Sequence, residues 1–444
     1  MAIDLYLIPI SGPCRAILMT ANHIGIDVNK KHVDLFAGEQ LKPEFVKINP
    51  LHTVPTIDDN GFYLWEGRAI QTYLVNKYAP DNPIYPKDPE TRAHVDRMLH
   101  FDNGTLFPAV KHFTAPQWLR GKPAEQDDSE NFMKAIHFLE ESLGKTTYVA
   151  ANHLTLADFS VIGTLTFTEV VNFDFSGYPR ITQWMQKLKK EIPNYYEIND
   201  VPIQQFKKER APSRRKKFIQ ISFHAFTSIA MAIDLYQVPL SAPCRSVMMT
   251  ANHLGVKLNL KYTDLFAKEQ LKPEFLKMNP QHTVPTIDDN GFYLWESRAI
   301  LAYLVNQYSP GNAIYPKDPQ ERAKIDRMLY FDMGTLYKAE LDYMIPPLLR
   351  GEPADPEKLE AFKKALSLFE EFLGKTTYAA TNYITIADFS LVASLSFAAI
   401  MNISLSEYPR ITAWMQKLEK EIPNYHEINI APIEKFMEEK KKKT

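Results

Sequence analysis

The pentapeptide Ser11-Gly12-Pro13-Cys14-Arg15 returns as Ser241-Ala242-Pro243-Cys244-Arg245, each time directly after a β-like run, IDLYLIP and IDLYQVP. Proline is tolerated in the first turn of a helix, where its missing N–H would be unpaired anyway, so Pro13 and Pro243 mark helix starts. Ser11 and Ser241 therefore stand at a helix mouth, where free backbone N–H groups and a partial positive charge favour an anion. A dithiol redox motif would place its nucleophilic cysteine there. Serine offers a hydroxyl donor instead, suited to an anion that arrives on a ligand. Neither serine lies in a G-x-S-x-G elbow, which argues against a hydrolase nucleophile. Cys14 and Cys244, the two cysteines of the chain, are expected to point inward as small core residues.

The elements that hold these residues are duplicated with them. A constant offset of 230 residues relates the two pentapeptides, the run HTVPTIDDNGFYLWE from His52 and from His282, Ala157-Asp158 and Ala387-Asp388, and YPRIT from Tyr178 and from Tyr408. Solenoid repeats run about 20–50 residues, so this period means a whole globular unit in tandem. The length of 444 residues is too great for one core, and 45% apolar with 23% charged residues is ordinary globular composition. A formal charge of -2 offers no general attraction for nucleic acid or anionic lipid. Two cysteines exclude a disulfide framework or a clustered-cysteine zinc site and favour a reducing, cytoplasmic setting. A strand-like run follows Met1, so no signal peptide is expected, and no stretch approaches the roughly 20 apolar residues of a membrane span.

Within each unit, strand and helix patterns alternate up to about residue 86, with a turn at Asp59–Gly61, and helical periods dominate beyond it. The expected divisions are 1–86 and 87–208 in unit one, a linker at 209–230, 231–316 and 317–437 in unit two, and a Lys-rich tail at 438–444. The linker is basic in its first half and apolar in its second, which suggests a fused gene boundary with Met231 as an old start. Thr155-x-x-Asp158 and Thr385-x-x-Asp388 read as capping boxes with Asp in place of Glu.

The order of elements in each first half resembles the thioredoxin-like α/β fold. With SGPCR or SAPCR, NPxHTVPT, LWEGRAI or LWESRAI, and FDNGTLF or FDMGTLY in the same order, each unit is similar to a cytosolic glutathione transferase of the insect delta class. The resemblance implies α/β plus all-α architecture: a thioredoxin-like domain, then an all-helical domain, the pair occurring twice. It implies that Ser11 and Ser241 stabilise the thiolate of glutathione, a cosubstrate rather than a bound cofactor, with no metal. Lowering a thiol pKa by two units requires about 2.7 kcal/mol, within reach of one charge-assisted hydrogen bond of about 1.5–3 kcal/mol and the helix end.

The resemblance also assigns the rest of the site. His52 and His282 fall near the glycyl carboxylate, Val54 and Val284 offer backbone groups before Pro55 and Pro285, which are expected to be cis, and Glu66 with Glu296 holds the γ-glutamyl end. Arg68 and Arg298 support that corner, and Asp102 and Asp332 are candidates for steadying the γ-glutamyl amine. Unit one has Gly67 where unit two has the hydroxyl of Ser297, so unit two is expected to bind glutathione more tightly. The electrophile pocket is expected to use Phe107, His112, Phe113 and Trp118 in unit one, against Tyr337, Asp342, Tyr343 and Leu348 in unit two.

The implied activity is conjugation of glutathione to small apolar electrophiles, with hydroperoxide reduction as an extension; the alternative is a non-catalytic binder of apolar ligands. A glutaredoxin-type reductase would need Cys where Ser stands. Relatives pair into two-fold dimers, and a flexible linker of this length spans about 25 Å, so an intrachain pseudo-dimer and a homo-oligomer are both open.

Overall fold

The computed structural model describes residues 3–210, 233–401 and 403–442. The chain divides into two compact units. The joining stretch from residue 211, with Met231, and the last two lysine-tail positions lie outside the described residues.

Unit one opens with β1 (Ile3–Leu7), α1 (Gly12–His23), β2 (Val28–His32), α2 (Pro43–Ile48), β3 (Thr56–Asp59), β4 (Phe62–Trp65) and α3 (Gly67–Tyr78). The four strands form one mixed sheet in the order β2-β1-β3-β4, with β1 and β2 parallel and the other pairs antiparallel. Alternation in IDLYL buries Ile3, Leu5 and Leu7, because successive strand side chains point to opposite faces. Leu5 pairs with Ile57, which pairs with Leu64, and this buried row seats the sheet on α1 and α3. The polar run VNKKH of β2 lies at the sheet edge, mostly exposed, where lysines discourage pairing with another chain. The β3–β4 turn is the two residues Asn60 and Gly61, both at positive φ, as a two-residue hairpin of this hand requires.

Only helices follow: α4 (Pro89–Phe101), a π turn at Asp102–Leu106, α5 (Phe107–Arg120), α6 (Gln126–Ser142), α7 (Leu156–Leu165), α8 (Pro179–Glu191) and α9 (Val201–Arg210). Every residue of α7 is buried, so it forms the centre of this half. Its capping box is present, and Asp158 also accepts from Val149 N at 3.1 Å and Trp184 Nε1 at 2.8 Å. These partners make Asp158 a folding residue.

Unit two repeats the plan with β5 (Ile233–Gln237), α10 (Ala242–Leu254), β6 (Leu258–Tyr262), α11 (Pro273–Met278), β7 (Thr286–Asp289), β8 (Phe292–Trp295) and α12 (Ser297–Tyr308). Its sheet order is β6-β5-β7-β8. The helices α13 (Pro319–Phe331), α14 (Tyr337–Ile345), α15 (Pro356–Phe372), α16 (Ile386–Ser396), α17 (Pro409–Glu421) and α18 (Ala431–Lys441) complete it, α18 carrying into the Lys-rich stretch. Each unit is thus a thioredoxin-like domain followed by an all-helical one.

The buried Arg15 locks α1 to the helical half, donating to Thr166 Oγ1 at 2.9 Å, Gly163 O at 2.8 Å and Asn199 Oδ1. The backbones meet so closely that a Cβ on Gly12 would lie 2.6 Å from Gly163 O. In unit two Arg245 plays the same part, donating to Ala393 O at 2.7 Å and Asn429 Oδ1 at 2.9 Å.

Candidate active sites

Ser11 is the N-cap of α1 and Ser241 the N-cap of α10, both half-buried with extended backbone and with proline in the first turn that follows. Ser11 Oγ accepts a long bond from Cys14 N at 3.5 Å, while Ser241 makes no side-chain cap bond. Each hydroxyl also lies within hydrogen-bond reach of the cysteine sulfur behind it, and can turn from that weak acceptor to an incoming anion. Cys14 and Cys244 are fully buried behind them, and burial pushes each thiol up to about 11. Neither is a thiolate at neutral pH, which removes the chemistry of a thiol–disulfide reductase. The native chain is expected to take up no iodoacetamide at pH 7.5 and two equivalents once unfolded, as counted by mass spectrometry. The raised thiols also carry a stability term, intact below about pH 9 and lost as pH rises toward 11, because the unfolded chain ionises first.

The Val54-Pro55 and Val284-Pro285 bonds are cis, as expected. Asn49, which sequence reasoning passed over, clamps this bend: its Nδ2 donates to Thr53 O and to Thr56 Oγ1, both at 2.9 Å, and its Oδ1 accepts from Leu51 N. Asn279 does the same in unit two. Strand pairing begins at Thr56 and Thr286, just after the bend. His52 and His282 stand on its rim in the left-handed region, the first half-buried and the second exposed.

Glu66 and Glu296, at φ 70 and 69, cap α3 and α12 from backbone conformations that cost about 1–3 kcal/mol for a non-glycine residue. The same left-handed conformation recurs at this corner in both units. Arg68 beneath it is buried, donating to Asp102 Oδ2 from Nε at 3.1 Å and Nη2 at 2.6 Å, and Asp102 also accepts from Ser160. Asp332 holds Arg298 identically. Both aspartates are fully buried within their units, which corrects their expected role: they hold the arginines and do not face an amine. The Gly67/Ser297 difference has a local counterpart. Arg298 Nη1 donates to Ser297 Oγ at 3.3 Å, whereas Arg68 Nη1 turns to Asn103 Oδ1 at 3.3 Å. Asn103 satisfies the arginine but adds no hydroxyl to the ligand corner. A Cβ on Gly67 would stand 2.9 Å from Pro13 Cβ, so the lost serine cannot be restored without moving α1.

A cavity of about 300 Å³ opens beside Ser11, walled by Phe107, Val110, Thr114 and Trp118 of α5 and by Phe167 and Phe206. Of the four expected pocket residues, Phe107 and Trp118 line it. His112 and Phe113 do not: His112 is exposed, with Asp128 3.7 Å away, and Phe113 stacks on Phe132 at 4.2 Å inside the helical core. In unit two Tyr337 lies over the Arg298 guanidinium at 5.4 Å. Tyr343 and Leu348 pack against the buried cluster of Met344, Phe397, Ile400 and Ile433, and Asp342 pairs at the surface with Lys338 at 2.6 Å. Met344 stands where unit one has Thr114, so a core side chain occupies a cavity-wall position. A polar cleft of about 410 Å³ around Arg180 and Trp184 contains none of the candidate residues.

A thioredoxin-like domain with a serine at its first helix mouth, joined to an all-helical domain, is the plan of a two-domain transferase. Family models described as the glutathione S-transferase N-terminal domain match residues 1–76 and 235–312, and the glutathione S-transferase C-terminal domain model matches 103–191 and 336–421. The chain belongs to the glutathione S-transferase family and carries its two-domain unit twice. Among solved structures it is similar to a delta-class glutathione transferase of Nilaparvata lugens (46% identity over 48% of this chain and 100% of that one, TM-score 0.46). It is also similar to a glutathione transferase of Bombyx mori (41%, 48% and 99%, 0.46) and an epsilon-class enzyme of Musca domestica (35%, 48% and 98%, 0.45). Among the described residues no helix is long and apolar enough to cross a membrane.

Proposed function

We propose that each unit binds reduced glutathione along the cis-proline bend and the strained glutamate corner, and conjugates it to small electrophiles entering from the helical half. The observation that carries this reading is the hydroxyl of Ser11 at the mouth of α1, in the lining of an apolar cavity of about 300 Å³. Glutathione sulfur seated there meets a donor and a helix end that favour its ionised form. The thiolate then attacks an electrophilic carbon held beside it, with proximity supplying much of the remaining acceleration. Hydroperoxides are a second class open to the same sulfur. We place the activity in the cytoplasm, with the units paired within one chain or between chains.

Adding glutathione at neutral pH is expected to produce the ultraviolet difference band of a thiolate. A chain that binds glutathione without that band would be the non-catalytic binder instead. Ser297 adds a hydroxyl to the ligand corner of unit two, so Ser297→Gly is expected to weaken glutathione binding there about tenfold or more, from the lost charge-assisted bond. Calorimetric titration of that variant against the parent chain checks this, and two unchanged dissociation constants would remove the role of Ser297.

A further inference from the structure

Unit two differs from unit one at a position in the wall of the electrophile pocket. Val110, which lines the cavity of unit one, corresponds at the constant offset to Glu340, one turn along α14 from Tyr337. Glu340 is fully buried, and neither carboxyl oxygen has a hydrogen-bond partner. Buried polar groups are almost always bonded, so a carboxyl with both oxygens open calls for a ligand or a reason. The neighbouring position changes in the same sense, from Phe107 to Tyr337, whose hydroxyl bonds to no described residue. Met344, at the position of Thr114, packs in a core cluster with Phe397 and has Leu348 against it. Unit two therefore carries two polar groups at positions whose counterparts wall the apolar cavity of unit one.

We infer that Glu340 is a specificity-determining hydrogen-bond donor that directs unit two toward small electrophiles conjugated to a carbonyl, while unit one takes apolar ones. The inference rests on the transferase reading above. The charged and titratable groups facing Glu340 are Asp332 of the π turn, Arg245 of α10 and the Tyr337 phenol of its own helix. Burial and Asp332 raise its pKa well above the carboxylate range, against the opposing pull of Arg245, so the group stands as the neutral acid. In the reaction, glutathione thiolate forms a C–S bond at the β-carbon, and the C=C π pair shifts toward the carbonyl oxygen. The Glu340 O–H donates to that oxygen and gives up its proton, forming an enol that tautomerises to the saturated carbonyl. Solvent then reprotonates Glu340, restoring the proton that the thiol lost on binding.

A purely structural role is the competing explanation: Glu169 lies near Arg15 in unit one, its counterpart is Ala399, and Glu340 could be a replacement countercharge for Arg245. The full chain carrying Ser11→Ala, which lowers the contribution of unit one at neutral pH, separates the two. In it, kcat/KM is measured for crotonaldehyde and for benzyl chloride, which has no acceptor oxygen. Glu340→Val is expected to lower the ratio of the two constants about tenfold, the loss of one strong hydrogen bond. Glu340→Gln, which keeps an N–H donor but has no proton to give, is expected to fall between and serves if the valine variant fails to fold. A ratio within about twofold of the parent in both variants would overturn the inference, since a countercharge acts on both reactions alike. If the Ser11→Ala parent conjugates neither compound, the transferase reading of unit two fails first and takes this inference with it.

Discussion

Replacing Ser11 and Ser241 together by alanine is expected to lower kcat/KM for chlorodinitrobenzene about tenfold to a hundredfold at neutral pH, and to move the pH–rate profile to the alkaline side. Each serine offers the ligand sulfur one charge-assisted bond, worth about 1.5–3 kcal/mol, and about 1.4 kcal/mol corresponds to one pKa unit. The sign follows from which form is bonded: a donor stabilises the thiolate and lowers the thiol pKa, so its removal raises that pKa by about one to two units. Activity lost at neutral pH should therefore return as pH rises. The two single variants are not equivalent probes. Ser11 also accepts from Cys14 N, so Ser11→Ala removes a helix cap, at about 1 kcal/mol of stability, along with the donor. Ser241 makes no cap bond, so Ser241→Ala tests the chemical role without that loss. A double variant with an unmoved pH profile would remove the serines from the chemistry, whatever its rate.

How much of this was legible in the sequence depended on how local the determining physics is. Pro13 marked a helix start, the capping boxes and cis prolines stood where their short motifs put them, and the offset of 230 made each feature check its copy. The pocket wall was read less well, although part of the signal was present. Phe107, Val110, Thr114 and Trp118 recur at helical spacing on one face of α5, and that period places His112 and Phe113 elsewhere. Expecting Phe107, His112, Phe113 and Trp118 together ignores that period, which leaves out Val110 and Thr114. Phe206 was beyond reach, because only tertiary packing brings the last helix of unit one to a cavity beside residue 11. Asp102 was misassigned for a similar reason. The resemblance offers it to the γ-glutamyl amine, whereas its partner in the structure, Arg68, is 34 positions away. Asn103 is subtler still: it accounts for how the arginine tolerates Gly67 only once the three residues are seen together.

The largest stability effect is expected from Asp332→Ala, at about 3–5 kcal/mol for unit two, read as a lowered transition in calorimetry. Asp332 is fully buried and takes four bonds: two from Arg298, one from Ser390 Oγ at 2.6 Å and one from Ser394 Oγ at 3.0 Å. Removing it leaves an uncompensated guanidinium in the interior and the Ser390 hydroxyl without its acceptor, while Ser394 keeps Ser390 O at 3.2 Å. Asp102→Ala should cost less in unit one. There the second oxygen of Asp102 has no partner, and Asn103 continues to hold Arg68. Replacing both ions separates stability from function. A buried pair exchanged for well-packed apolar residues is often neutral or stabilising, so Arg298→Met with Asp332→Leu is expected to recover the transition. It should not recover glutathione binding in unit two, because Arg298 also bonds the hydroxyl of Ser297 and lies beside the strained Glu296. If the double variant regains both stability and affinity, the ion pair serves folding alone and the ligand corner is built without it.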